Sequence, residues 1–167
     1  MTITIRRATK NDMPIVFKMM NDLAATLKQN APSITLEDLY RDGGFDGDLS
    51  YFFALLAEDS KVKDSKGLPT AIGFTLCSHS YCWDGRAIYM RNLLVNDSHR
   101  ATGVGKMLFN AVLRYAKQTG VNRIELHVCK TNPAQKFYEK MGAINAAEKE
   151  GHVYYRLYKD VINKFHA

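Results

Sequence analysis

Apolar and polar positions follow a two-residue period at the start of the chain and then a period of three to four. Over Thr2–Arg7 they alternate, which is typical of a half-buried strand. The period then becomes helical from Pro14 to about Lys28. One apolar face of this predicted helix is formed by Ile15, Val16, Met19, Met20, Leu23 and Leu27. We therefore expect a strand followed by an amphipathic helix.

The middle of the chain is predicted to hold a short helix and three strands. The helix starts at Thr35, where Asp38 can complete a capping box, and ends at the glycine pair 43–44. Runs rich in aromatic and β-branched residues then predict antiparallel strands over Tyr51–Glu58, Thr70–Tyr81 and Arg86–Val95. The stretches Asp59–Pro69 and 83–85 between them have the composition of turns.

Helical and extended segments alternate in the last third of the chain. The period predicts a helix over Gly103–Gln118, a strand over Arg123–Cys129 and a helix from Asn132-Pro133 to Gly142. A final hairpin is predicted for Ala143–Glu148 and His152–Tyr158. No repeat or long linker divides the chain, so we expect one α/β domain over residues 1–167, with a mixed, mostly antiparallel sheet flanked by helices.

Composition and charge narrow the class of protein. With 46% hydrophobic and 24% charged residues the chain is typical of a soluble globular protein. Its longest strongly apolar run, Tyr51–Ala57, is too short to cross a bilayer, and residues 1–7 hold no signal-peptide core, so we expect a cytoplasmic protein without membrane contact. The net charge of +6 comes from scattered basic residues, which argues against nucleic-acid binding and is compatible with a phosphorylated small molecule.

The three cysteines, Cys77, Cys82 and Cys129, are too few for a disulfide framework. The spacing Cys77-x-His79-x-x-Cys82 could suggest a metal site. On a strand, however, Cys82 points away from the other two side chains, and no fourth ligand lies nearby in sequence. We therefore expect no metal and interpret the cysteines as buried thiols.

The segment Arg100–Lys106 lies between a predicted strand and a predicted helix. Gly103 and Gly105 allow the backbone to approach a ligand closely, and the first N–H groups of a helix have no internal partners, so they can bind an anion. Arg100 and Lys106 would add positive charge. Such turns also occur without any ligand, so the spacing alone leaves a purely structural role open.

Two motifs together resemble a known family. Arg100-x-x-Gly103-x-Gly105, preceded by Asn92-Leu93-Leu94-Val95 and followed by the run Asn132–Ala143, resembles the acetyl-CoA core of the GNAT N-acetyltransferases. The resemblance covers essentially the whole chain and implies the GNAT fold with its V-shaped sheet. Within the family the chain is most similar to the diamine (spermidine/spermine) acetyltransferases, through 5–9, 42–43, 72–74, Trp83 and 156–159.

The resemblance implies a binding site for acetyl-CoA as co-substrate. It sets the thioester and pantetheine against the backbone of Leu93, Leu94 and Val95. It assigns the pyrophosphate to the backbone amides of Ala101, Thr102, Gly103, Val104, Gly105 and Lys106, next to the positive charge of Arg100. By the same resemblance Lys136 or Lys140 approaches the adenosine phosphate, the alternative being a solvated helix face. Thr131 or Asn132 either caps a helix or hydrogen-bonds the pantetheine arm.

Transfer to an amine needs both a base and an acid. An alkylamine with a pKa near ~10.4 is almost wholly protonated at pH 7, and the departing thiolate benefits from a donor. Tyr138 matches the family tyrosine that serves as this acid, the alternative being a tyrosine packed beside Phe137. Where the diamine group has a Glu-Asp pair, this chain has Arg91-Asn92. Glu37 is our first candidate for the base, ahead of Glu125 and His127, with a chain of waters as an equal alternative.

The loss of that acidic pair also predicts the acceptor. Arg91 would repel a polycation and favour an amine that carries a carboxylate or a neutral aromatic body, with Trp83 and Tyr89, and also Tyr81, as apolar walls. Alternatively Arg91 forms an ion pair outside the groove. We expect an N-acetyltransferase for a small primary amine, and a homodimer by resemblance. A non-catalytic CoA-binding module and a protein N-terminal or lysine acetyltransferase remain the alternatives.

Overall fold

A five-stranded sheet organises the first of two compact units, Met1–His127, in the computed structural model, which describes residues 3–64, 67 and 69–164. Its strands lie side by side in chain order: β1 (Ile3–Arg7), β2 (Phe53–Lys63), β3 (Pro69–Cys82), β4 (Gly85–Val95) and β5 (Arg123–Leu126). The first four are antiparallel, and β5 runs parallel to β4. The helices of this unit are α1 (Met13–Thr26), α2 (Leu36–Asp42) and α3 (Val104–Thr119).

Helices cover both faces of the sheet. Because side chains alternate along a strand, Leu56 and Phe74 pack on one face against α1 and α2, while Ala57 and Ile72 pack on the other against α3. The two cores contain Met13, Val16, Met19 and Leu39 from the first pair of helices, and Val104 and Leu108 from the third. Burial of each large aliphatic side chain in these cores stabilises the folded state by about 1.5–3 kcal/mol. The predicted fold class, a mixed and mostly antiparallel sheet flanked by helices, is confirmed.

The boundaries differ from the sequence predictions in a few places. β2 continues past Glu58 to Lys63, whereas β5 ends at Leu126 instead of Cys129. Thr2, in the predicted first strand, and residues 65, 66 and 68, in the predicted turn, lie outside the described residues. Within the described part of the chain no helix is long and apolar enough to span a membrane.

The second compact unit, Val128–Ala167, is helical where it has regular structure. It contains α4 (Gln135–Lys140), α5 (Ala146–Glu150) and α6 (Lys159–Ile162). The predicted terminal hairpin is wrong, because 146–150 is helical and 151–158 forms no strand. Asn145 caps α5 by accepting from the Glu148 N–H, and Ala, Glu and Lys are strong helix formers. The expectation of one domain over 1–167 stays a prediction.

An ion cluster ties β1 to the start of α1 and to β2. The Arg6 guanidinium donates two hydrogen bonds of 2.7 Å to Asp12 and bonds of 2.7 and 3.0 Å to Glu58. The bonds from Arg6 lower the pKa of Asp12 to about 2 from an ordinary 3.8, although burial opposes the shift. This carboxylate therefore stabilises the fold above about pH 4, and its contribution is lost as the pH falls through about 2.

We expect Asp12→Asn to lower the free energy of unfolding at pH 7 by about 1.5–3 kcal/mol, the usual worth of charge-assisted hydrogen bonds. Urea titrations at pH 7, 4 and 2.5 measure it, and the deficit should shrink at the lowest pH. The matched control is Asp22→Asn, which breaks only an exposed pair with Lys18 and should cost less than about 0.5 kcal/mol. A deficit independent of pH would contradict the electrostatic explanation.

Candidate functional site

The carboxyl-terminal half of β4 has one unpaired edge. The parallel ladder between β4 and β5 covers only Ala87–Met90, so no strand of the described residues pairs with 91–95 on that side. The Asn96 N–H donates to the Ile72 carbonyl, which fixes the alternation of the antiparallel ladder. By that alternation Leu94 directs its backbone groups to β3, whereas Leu93 and Val95 direct theirs to the open edge. An extended ligand can hydrogen-bond there.

The amino terminus of α3 lies beside this edge. Ala101 and Gly103 adopt left-handed backbone conformations, with φ of +60° and +91°, and turn the chain into the helix. Val104, Gly105 and Lys106 have N–H groups without intrahelical acceptors, because the first such bond is made by Met107. No side chain of the described residues caps this end, and its first turn contains no acidic residue. The positive end of the helix is thus available to an anion.

The two glycines of the motif differ in what the backbone requires at their positions. Gly103 has a positive φ, which side chains rarely adopt. At Gly105 a Cβ would meet only Val95 Cγ2 at an ordinary 3.7 Å, so the fold itself admits alanine. Alanine would even be favoured in a helix by about 0.5–1 kcal/mol. Packing within the fold therefore does not require glycine at 105, and the residues present fit a phosphate group.

The charged side chains of the loop divide into two roles. Arg100 pairs with Asp97 at 2.7 Å and donates to the Val95 carbonyl at 3.3 Å, so it braces the loop against β4. Thr102 donates its hydroxyl to the His99 carbonyl at 2.6 Å. Lys106 is exposed in the first turn of α3. Both predicted cations are thus exposed, and Arg100 is already engaged by partners within the loop.

Two of the three predicted acceptor residues lie together. The pairing of β3 with β4 skips Arg91, which forms a bulge. Its guanidinium carbon lies 3.7 Å from the centre of the Tyr89 ring, and its Nε donates to Ser78 Oγ at 3.4 Å. Trp83 is not part of this group, because it is 92% exposed in the turn at the far end of the hairpin, about 20 Å along β4 at ~3.4 Å per residue.

The candidate bases are placed differently from one another. Glu37 lies exposed in the first turn of α2, two positions from the buried Leu39 and hence on the opposite side of the helix. No contact found among the described residues joins it to Tyr89. Glu125 is held by Arg123 Nε at 2.6 Å. The His127 ring, by contrast, lies 5.3 Å from the Tyr89 ring, where the β4–β5 ladder ends. This contact follows from the parallel pairing of β5 with β4. The sequence analysis did not predict that pairing and therefore could not rank His127 above Glu37.

The second unit carries the remaining predicted residues. The Asn132 side chain accepts from the Ala134 N–H at 2.9 Å and so caps the turn before α4, while Thr131 is exposed. Lys136 and Lys140 are exposed one turn apart on α4. Tyr138 packs edge-on against Phe137 at 5.1 Å, and burial raises the pKa of its phenol to about 12. This phenol stays protonated near neutral pH and can donate a hydrogen bond.

The cysteines depart from the predicted uniform burial. Cys77 is fully buried, and desolvation raises the pKa of its thiol to about 12 despite a contact with Thr75. Cys82 is half-buried and Cys129 is exposed, because β5 ends before reaching it. None of the three forms a disulfide. Over the described ranges no cluster of three or more potential metal ligands occurs.

Comparisons with known proteins identify the family of the chain. The model of the acetyltransferase (GNAT) family matches residues 17–143. Thialysine N-epsilon-acetyltransferase of Bos taurus is 28% identical over 151 residues, which are 89% of this chain and 88% of that protein. A solved aminoglycoside acetyltransferase from an uncultured soil metagenomic sample has a TM-score of 0.68 at 18% identity, over 93% of this chain and 97% of its own.

A second similar solved structure is named for a different kind of acceptor. Ribosomal-protein-alanine N-acetyltransferase from Brucella melitensis biovar Abortus 2308 has a TM-score of 0.67 at 19% identity, over 94% of this chain and 99% of its own. These two neighbours are named for acceptors as different as an aminoglycoside and a protein. At such identities the likeness extends to the fold, and the fold does not specify the acceptor.

Proposed function

Because the chain belongs to the GNAT family of acetyltransferases, we propose that it transfers the acetyl group of acetyl-CoA to a primary amine of a small molecule. The observation that carries this proposal is the unpaired edge of β4 beside the uncapped first turn of α3. An amide-bearing arm can add to Leu93 and Val95 as a strand does, while its phosphates bind the amides of 104–106. Acetyl-CoA has both parts.

The transfer itself needs two proton-handling groups. The acceptor must lose a proton before its nitrogen attacks the thioester carbonyl, and the thiolate that leaves must be stabilised. We assign the second task to Tyr138, whose partly buried phenol stays protonated and can donate a hydrogen bond. For the first task Glu37 stays a prediction. His127 is the exposed candidate that lies beside Tyr89, and an imidazole nitrogen can act as a general base.

Arg91 supports an acceptor that carries a carboxylate. Its guanidinium is exposed above Tyr89 and can bind a carboxylate with two parallel hydrogen bonds. Thialysine, the acceptor in the name of the bovine relative, is an amino acid with a terminal primary amine. We therefore propose that the acceptor is a small amino acid with a terminal primary amine, and not a long polyamine.

A panel of acceptors tests the proposal. Purified protein is incubated with acetyl-CoA and thialysine, lysine, agmatine, spermidine, spermine or a lysine-containing peptide, and release of the CoA thiol is followed. We expect turnover with a small amine. Thermal stabilisation by CoA without turnover on any acceptor would indicate a binding module, and turnover on the peptide alone would indicate a protein acetyltransferase.

Charge reversal at Arg91 should change the acceptor preference. We expect kcat/KM for spermidine to be at least about tenfold below that for the best carboxylate-bearing amine, and Arg91→Glu to raise spermidine use while lowering that of the amino acid. The matched control is Arg86→Glu, which makes the same charge change on β4 beside Gly120 at the end of α3 and should leave the preference unchanged. Equal use of spermidine and the amino acid by the unaltered protein would refute the acceptor class alone.

The resemblance further leads us to propose a homodimer located in the cytoplasm. Sedimentation velocity at micromolar concentration distinguishes a dimer from a monomer. A monomer at all concentrations would contradict this part of the proposal without affecting the assigned reaction.

A further inference from the structure

We propose that Asp59 and His99 are positioning residues that hold the loop before α3 in the conformation that binds the phosphates of acetyl-CoA. The inference rests on the proposed function and assigns a role to two residues that lie forty positions apart. Neither side chain reaches the open amides of α3 itself. Their effect is transmitted through the backbone of the loop.

Asp59 is the one charged side chain buried among the described residues, at 2% exposure. It lies on β2 opposite Ile3, where the pairing of β2 with β3 becomes irregular. One carboxylate oxygen accepts from the Lys61 N–H at 3.0 Å, and the other lies 3.8 Å from His99 Nε2. A carboxylate in such a place is costly unless donors surround it, and the imidazole of His99 is the partner from the loop.

His99 connects this buried carboxylate to the loop. Its ring Nδ1 lies 2.9 Å from Ser98 Oγ, so that both ring nitrogens have partners within the protein. Its carbonyl accepts the hydroxyl of Thr102 at 2.6 Å. The position of the His99 backbone therefore constrains Thr102, which directly precedes Gly103, the N-cap residue of α3.

The loop needs such support because part of it is strained. Ala101, between His99 and Gly103, has a φ of +60°, a conformation that residues other than glycine rarely adopt. Strained backbone persists where the surrounding contacts hold it in place. The bond from Thr102 to His99 spans Ala101, and the contact of His99 with Asp59 anchors that bond to the sheet. Loss of the anchor should let the loop relax from the conformation that presents the amides of α3.

The test separates positioning from general stability by comparing three variants with a control. Asp59→Asn and His99→Gln weaken the anchor, and Thr102→Val removes the hydroxyl without touching the buried carboxylate. We expect each to raise the KM for acetyl-CoA by about tenfold, while kcat at saturation and the KM of the acceptor change by less than about twofold. Thr102→Ser, which keeps the hydroxyl, should restore the normal KM.

The control is His152→Gln, an exposed histidine of the second unit paired with Glu150, for which no change is expected. Calorimetry with CoA on the unaltered protein keeps the two proposals apart, because absence of binding there would overturn the proposed function itself. If the unaltered protein binds CoA and the variants bind it equally well, the positioning role is refuted. A fall in kcat and melting temperature without a specific rise in the KM for acetyl-CoA also refutes it. If Asp59→Asn does not fold, the positioning role is tested by comparing the KM for acetyl-CoA of Thr102→Val with that of Thr102→Ser.

Discussion

Gly105→Glu is expected to weaken binding of acetyl-CoA by at least about a hundredfold, because its carboxylate would stand where the pyrophosphate meets the amides of α3. The folded backbone admits a Cβ at this position, which would meet only Val95 Cγ2 at an ordinary 3.7 Å. A negative charge in the first turn also interacts favourably with the helix dipole. The melting temperature should therefore stay the same or rise, which calorimetry and thermal unfolding measure together.

Gly105→Ala is the graded control for this prediction. It should stabilise the ligand-free protein by about 0.5–1 kcal/mol, because alanine is the better helix former. At the same time the added methyl group should weaken acetyl-CoA binding by a smaller factor than the glutamate does. Stability and affinity then move in opposite directions. Unchanged affinity in both folded variants would remove the phosphate-binding assignment.

Tyr138→Phe is expected to lower turnover by about a hundredfold or more, the usual effect of removing a group that handles a proton in the transition state. The KM for acetyl-CoA should change little, because phenylalanine keeps the edge-on contact with Phe137. Burial raises the pKa of this phenol to about 12, so in the unaltered protein the donor is not lost as the pH rises from 7 to 10.

Tyr115→Phe is the matched control, since it removes a phenol that contacts His79 at 3.3 Å in the first unit. Stopped-flow or steady-state release of the thiol measures both variants, and Tyr115→Phe should retain normal turnover. If Tyr138→Phe also keeps its turnover, Tyr138 is a packing residue and does not protonate the leaving thiolate.

The elements that local patterns define were predictable. The capping box at Thr35 is present, with its hydroxyl accepting from the Asp38 N–H and the carboxylate accepting in return. The motif Arg100-x-x-Gly103-x-Gly105 is contiguous in sequence, and the family that it predicts is confirmed. The predicted terminal hairpin is wrong because Ala146–Glu150, capped by Asn145, consists of strong helix formers.

The parts of the site that depend on strand register were not predictable from local patterns. The bulge that singles out Arg91 arises from how β3 pairs with β4, and His127 meets Tyr89 only because β5 runs parallel to β4. Asp59 and His99 come together across forty positions. Trp83 shares the strand pair with Arg91 but lies at its other end. Such contacts depend on the tertiary structure, and no short segment of the sequence specifies them.

The unequal burial of the cysteines gives the protein an internal reporter of its own folding. A thiol-reactive dye labels thiolates, so the exposed Cys129 should react promptly, the half-buried Cys82 more slowly and the fully buried Cys77 only when the sheet opens. Counting labelled sulfurs by mass therefore reads out unfolding of the sheet without any introduced probe. In an assay that detects released CoA with such a dye, a delayed third equivalent of colour from the protein would signal denaturation and not catalysis.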